Sequence, residues 1–137
     1  MSAADRFFDT NVLLDLLSAD PYKADIAENL VATGGQISVQ VLNEFASVAM
    51  RKLNMSCVEV REVLKPVRAL CRVIPLTEEI HELGLRIAER YRLSVYDSMI
   101  VAAALTGGCE TLLSEDLQDG FVIDGALRVC NPFAEQS

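Results

Sequence analysis

Four acidic residues, Asp9, Glu44, Asp97 and Asp116, occupy positions from which a folded chain could gather them. Asp9 follows the apolar run Arg6-Phe7-Phe8 and opens Asp9-Thr10-Asn11, while Asp116 follows Thr111-Leu112-Leu113 and closes Ser114-Glu115-Asp116. Runs of that kind read as buried strands, and in open α/β sheets ligands collect beyond the carboxyl ends of the strands. Asp97 is the most informative of the four. At about 100° per residue it heads a continuous apolar stripe of Ile100, Val101, Ala104 and Leu105, a position where an apolar residue is expected. A carboxylate facing a core costs several kcal/mol unless a cation or strong donors meet it. Glu44 sits on the rim of a helix whose apolar centre is Leu42, Phe45, Ala46, Ala49 and Leu53. Gathered carboxylates suit a hard divalent cation, Mg²⁺ or Mn²⁺, which takes oxygen ligands and can hold phosphate oxygens at the same time. Such an ion lowers the pKa of a bound water and stabilises a leaving oxygen, so it can hydrolyse a phosphodiester without a histidine or a covalent nucleophile.

Each acid also has a structural reading. Asp9 and Asp97 could cap helices, Asp116 could be a turn residue, and Glu44 could lie on a solvated face. Both readings stand for each residue singly, and the case for a site rests on the set. Asp119, in Gln118-Asp119-Gly120, reads as a turn and not as a fifth member.

The rest of the composition removes the competing chemistries. The only histidine, His81, falls within the amphipathic pattern TEEIHELGLRIAER, which leaves no base for a Ser-His-Asp or Cys-His enzyme. Cys57, Cys71, Cys109 and Cys130 show no C-x-x-C pair, and each, among apolar neighbours, is expected to be a buried free thiol. The net charge of −8 argues against a large nucleic-acid footprint. Once four acids are assigned to a metal site, however, the remaining imbalance against 12 basic residues is modest. Without an apolar run long enough for a membrane helix, and with a start MSAADRFFDT that lacks the apolar core of a signal peptide, a cytoplasmic protein with no membrane partner is expected.

The elements that must position these residues alternate short apolar segments with longer periodic ones. This is the pattern of an α/β fold with a mainly parallel sheet, and residues 1–137 read as a single domain. Strands are expected at Arg6–Phe8, Gln36–Ser38, Arg72–Ile74, Thr111–Leu113 and Leu127–Cys130. Helices are expected at Val12–Ala19, stopped by Asp20-Pro21, at Tyr22–Ala32, at Val39–Leu53, and from Ser56 to about Leu70 with an interruption at Pro66. Two more are expected from Thr77 to about Arg90 and, as the central helix, from Asp97 to Leu105. Arg61, Lys65, Arg68 and Arg72 recur at helical spacing near Arg51-Lys52, as an RNA track or an ordinary solvated stripe. Arg86, Arg90 and Arg92 offer a rival basic surface.

Strand, Asp9-Thr10-Asn11 and an apolar helix; Glu44 in a later helix; Asp97 heading an apolar helix; then Leu112-Leu113-Ser114-Glu115-Asp116: in this order, over nearly the whole chain, the pattern resembles the PIN-domain family, and within it VapC-type toxin ribonucleases of toxin-antitoxin pairs. The resemblance implies a three-layer α/β/α sandwich and metal ligation by Asp9, Glu44, Asp97 and Asp116. It further implies that Thr10 or Asn11, together with Ser114, orients the carboxylates or the attacking water. Cleavage of single-stranded RNA, pairing into a homodimer through helices, and inhibition by a cognate antitoxin whose tail lies across the active-site groove are implied in the same way. A receiver-like signalling domain would need an adjacent acidic pair after the first strand and a late lysine, and an aspartyl-phosphate phosphatase would need D-x-D; neither pattern is present. The remaining rival is a catalytically inactive PIN fold serving as an RNA-binding or partner-binding module, and the complete set of four acids favours activity.

Overall fold

The computed structural model describes residues 2–134 of the chain. After a short 3-10 turn at Ala3–Asp5, strand β1 (Arg6–Phe8) leads into helix α1 (Thr10–Leu14), extended by a 3-10 turn at Asp15–Leu17. Helix α2 (Pro21–Thr33), strand β2 (Gly35–Ser38), and helices α3 (Val39–Lys52) and α4 (Cys57–Leu70) come next. Strand β3 (Cys71–Ile74), helices α5 (Glu78–Tyr91) and α6 (Val95–Thr106), and strands β4 (Thr111–Leu113), β5 (Val122–Ile123) and β6 (Leu127–Cys130) complete the order. The strands form one six-stranded sheet in the order β3-β2-β1-β4-β6-β5, parallel except where β5 runs against β6. This is the expected α/β fold with a mainly parallel sheet flanked by helices.

The first strand sits in the middle of the sheet because both of its neighbours are apolar: Phe7 and Phe8 are fully buried, as are Ile37 of β2 and Leu112 of β4. Parallel strands covered on both faces need such unbroken apolar runs. Gly35 is required at the β1–β2 contact, where a Cβ would come within 2.7 Å of the Phe8 ring. Helix α6 is central, as its composition implies: every residue from Ser98 to Ala104 is buried.

Several boundaries differ from the sequence reading. Asp20-Pro21 starts α2 instead of merely stopping α1: Asp20 accepts the amide of Tyr22 and Pro21 takes the first helical position, where a missing N–H costs nothing. Helix α1 begins at Thr10, not Val12, and tightens into 3-10 geometry by Asp15. Helix α4 runs through Pro66 without a break, held by packing of Val60, Leu64 and Val67 on its inner face. Strand β5 is an addition to the expected elements; its two residues pair with β6 across a turn at Asp124-Gly125, too short to leave an alternating pattern. Of the cysteines, Cys71 and Cys109 are buried, Cys130 is half-buried, and Cys57, in the first turn of α4, is exposed, contrary to expectation. No helix among the described residues is long and apolar enough to cross a membrane.

Candidate active site

The β1–β4 register pairs Phe8 with Leu113, so the next residues along, Asp9 and Ser114, lie side by side at the carboxyl edge of the sheet. The Asp9 amide fixes the junction by donating to the Leu113 carbonyl at 3.0 Å. Asp9 caps α1, one carboxylate oxygen accepting the Thr10 amide at 2.7 Å. The other oxygen accepts the Ser114 hydroxyl at 2.7 Å and the Asn11 side-chain amide at 3.3 Å. Capping thus occupies one oxygen of Asp9 and leaves the other to Ser114 and Asn11.

Ser114 is the hub of this end of the sheet. Its single proton goes to Asp9, while its lone pairs accept the amides of Asp116 at 3.1 Å and Leu117 at 3.3 Å. This ties the turn bearing the exposed Asp116 to the buried Asp9. Asn11 braces the same turn, accepting the Glu115 amide at 3.2 Å. Asp9 is 4% exposed. Burial pushes its carboxyl up to about 6; the bonds from Ser114 and Thr10 oppose that shift, and the charges of Asp97 and Asp116 add to it. Three of the four acids therefore share one electrostatic neighbourhood.

Glu44 reaches Thr10, the neighbour of Asp9, from α3, a helix begun by Ser38 at the end of β2, whose hydroxyl accepts the Val41 amide at 3.3 Å. Its carboxylate is not a solvated rim group. One oxygen accepts the Thr10 hydroxyl at 3.0 Å and the other accepts the Gln40 side-chain amide at 2.8 Å. The capping alternative for Asp97 fails for a positional reason: α6 starts at Val95 under a Ser94 cap, and the Asp97 amide donates to the Ser94 hydroxyl at 3.1 Å. Asp97 is the third residue of the helix, half-buried, and its carboxylate is not spent on capping.

A family model for the PIN domain matches residues 6–119, which include all four acids. The chain belongs to the PIN-domain family. Solved structures agree on the fold. A toxin-antitoxin complex from Klebsiella pneumoniae matches at 24% identity with a TM-score of 0.69, covering 93% of this chain and 97% of that one. VapC20 of Mycobacterium tuberculosis, a toxin that cleaves the sarcin-ricin loop, matches at 19% identity and a TM-score of 0.66, over 81% and 91%. FitAcB from Neisseria gonorrhoeae matches at 17% identity and a TM-score of 0.62, over 93% and 98%. Among curated proteins none matches the chain.

Within this PIN domain the donor set suits a hard divalent cation: every candidate atom is a carboxylate oxygen, and the buried member carries a charge that its surroundings only partly offset. Among the described residues no three acidic, thiol or imidazole groups already stand close enough to enclose an ion. Asp119 is a turn residue, accepting the Asn131 amide at 3.0 Å beside Gly120 in the left-handed region.

Two features are not legible in the sequence. Gln40 touches Glu44 and the first turn of α6, and nothing in its spacing distinguishes it from any other polar residue at a helix start. Beside Asp116, burial and the neighbouring Glu115 carboxylate push Asp15 up to about 7, while Lys23 pairs with Glu115 at 2.9 Å. The basic stripe is only partly as expected. Arg61, Lys65 and Arg68 are exposed on α4, but Arg72 lies on β3, because the helix ends at Leu70. The three helical cations line a groove of about 810 Å³ between α3 and α4, with Leu42, Ala46, Met50 and Val73 among its apolar walls. None of the four acids lines it, and its lining reaches the site only as far as Asn43, the neighbour of Glu44.

Proposed function

We propose that this PIN domain is a metal-dependent endoribonuclease that hydrolyses single-stranded RNA, acting as the toxin of a toxin-antitoxin pair. The observation that carries the reading is the buried Asp9 carboxylate, held by Ser114 and Asn11 and raised to about 6, with the charges of Asp97 and Asp116 directed at it. A purely structural aspartate gains nothing from two further acids brought close to it. Bound Mg²⁺ or Mn²⁺ would be held by Asp9, Glu44, Asp97 and Asp116 and would supply an activated water and charge neutralisation for the phosphate.

The chain's own groups do the positioning. Ser114 and Asn11 fix which way the Asp9 oxygens face, and Thr10 holds Glu44 against the same edge of the sheet. Ser114 also sets the turn that presents Asp116. In this reading the protein works in the cytoplasm as a homodimer, with RNA as substrate and a cognate antitoxin as inhibitor; the toxin-antitoxin complex among its structural neighbours supports that partner.

The test is cleavage of labelled single-stranded RNA by purified protein with Mg²⁺ or Mn²⁺, with EDTA, and by Asp97→Asn. Metal-dependent cutting that disappears in Asp97→Asn is the expected result. Antitoxin-free protein that binds the ion by calorimetry yet cuts no RNA is instead an inactive module that binds RNA or a partner.

A further inference from the structure

Gln40 lies in the first turn of α3 and is 9% exposed. Its side-chain nitrogen donates two bonds, each 2.8 Å: one to the Glu44 carboxylate one turn along the same helix, the other to the main-chain carbonyl of Tyr96. Tyr96 immediately precedes Asp97 in the first turn of α6. A primary amide has two N–H groups, and here each is directed to an element carrying one of the four acids. The Tyr96 carbonyl has two lone pairs, so it can serve the helix and accept from Gln40 together. With Thr10 on one Glu44 oxygen and Gln40 on the other, each oxygen keeps a lone pair for a further partner. The neutral donor matters: a lysine here would cancel the Glu44 charge, and a glutamate would add another negative group to a crowded site.

We infer that Gln40 is a positioning residue that sets the separation of Glu44 on α3 from Asp97 on α6, and so the geometry in which these acids meet a divalent cation. The inference rests on the nuclease reading and adds to it a residue outside the acid set. Gln40 touches neither substrate nor ion; it acts through Glu44 and through the start of α6.

The experiment uses the full chain and three variants: Gln40→Met, which keeps the length and loses both donors; Val67→Ala, a core change at a fully packed position on α4; and Asp97→Asn. Mn²⁺ affinity is measured by calorimetry, melting by circular dichroism, and RNA cleavage by initial rates. Gln40→Met is expected to weaken Mn²⁺ binding about 10- to 100-fold and to lower kcat with little change in KM, in the range of a lost supporting bond to a metal ligand. Val67→Ala is expected to lower the melting temperature and leave Mn²⁺ affinity unchanged. In wild-type protein, the Gln40 side-chain amide resonances are expected to shift during a Mg²⁺ titration with the calorimetric midpoint, which decides the matter even if Gln40→Met does not fold. A Gln40→Met protein that binds Mn²⁺ within about twofold of wild type, or amide resonances that stay fixed as the ion binds, overturns the positioning role and leaves the nuclease reading intact. Wild-type protein that neither binds Mn²⁺ nor cuts RNA sinks both.

Discussion

Helix α3 serves two concavities of opposite character. On one face Glu44 enters the acid crevice, where side chains are fixed by bonds to one another: Thr10 to Glu44, Ser114 and Asn11 to Asp9, Gln40 to Glu44. On the other face Leu42, Ala46 and Met50 wall a groove rimmed by Arg61, Lys65 and Arg68, whose charged ends reach into solvent. The crevice is built at an energetic cost and is over-determined, as sites for chemistry are. The groove is apolar and basic, and among the described residues no bonding network holds its rim. One surface is organised to fix atoms and the other to attract a surface, so changes on the two should fail in different ways.

The largest effects belong to the crevice. Asp9→Asn or Asp97→Asn should reduce RNA cleavage by more than about a hundredfold, beyond the roughly 10- to 100-fold typical of groups that only support a ligand. Ser114→Ala should fall inside that range and should also destabilise the fold by about 1–3 kcal/mol, because Ser114 is fully buried and its removal strands the Asp116 and Leu117 amides; both are read from initial rates and urea unfolding.

Asp9→Asn should have the opposite effect on stability. Its folded carboxyl stands at about 6 against an ordinary 3.8, so the metal-free native state holds the proton more tightly than the unfolded chain. This group therefore costs no stability below about pH 4, becomes increasingly unfavourable up to about pH 6, and stays so above, by about 3 kcal/mol at most. Metal-free Asp9→Asn should be more stable than wild type at pH 8 by up to that amount, and the difference should vanish near pH 4. Unfolding at the two pH values checks it. Added Mn²⁺ should raise the melting temperature of wild type and not of the variant.

The smallest effects belong to the groove. Arg61→Glu or Lys65→Glu should change RNA affinity a few-fold, with a salt slope lowered by about one per lost phosphate contact and kcat unchanged. A groove variant that alters kcat at saturating RNA would erase the distinction between the two concavities.

The parallel strands and most helices are legible in the sequence, though not the order of the strands in the sheet, because the strands are short, mostly apolar segments and helices α3 to α6 carry their own start signals: Ser38, Ser56, Thr77 and Ser94 all accept an amide of the first turn. Ser94 is nonetheless hard to read as a cap, because Val95 and Tyr96 are poor helix formers and the exposed pair looks like a linker. The sequence therefore places the start of α6 at Asp97 and leaves capping open for an acid that does not cap. The residues joining the acids are half visible. Asn11 and Ser114 come with the motifs that carry Asp9 and Asp116, although the Ser114 bond to Asp9 joins the two ends of the chain; Gln40 belongs to no motif and acts across α3 and α6, a pairing that only the packed structure reveals. The basic stripe misleads for a related reason, since helical spacing carries it across Leu70 into a strand with a different period.

The Asp9–Ser114 bond spans 105 positions, and β4, the partner on which it depends, follows helices α1 to α6. During synthesis, Asp9, Glu44 and Asp97 leave the ribosome before the strand and hydroxyl that set the first of them in place. A growing chain therefore cannot give Asp9 its hydroxyl partner, nor set the turn that presents Asp116, until the last acid-bearing segment has been translated.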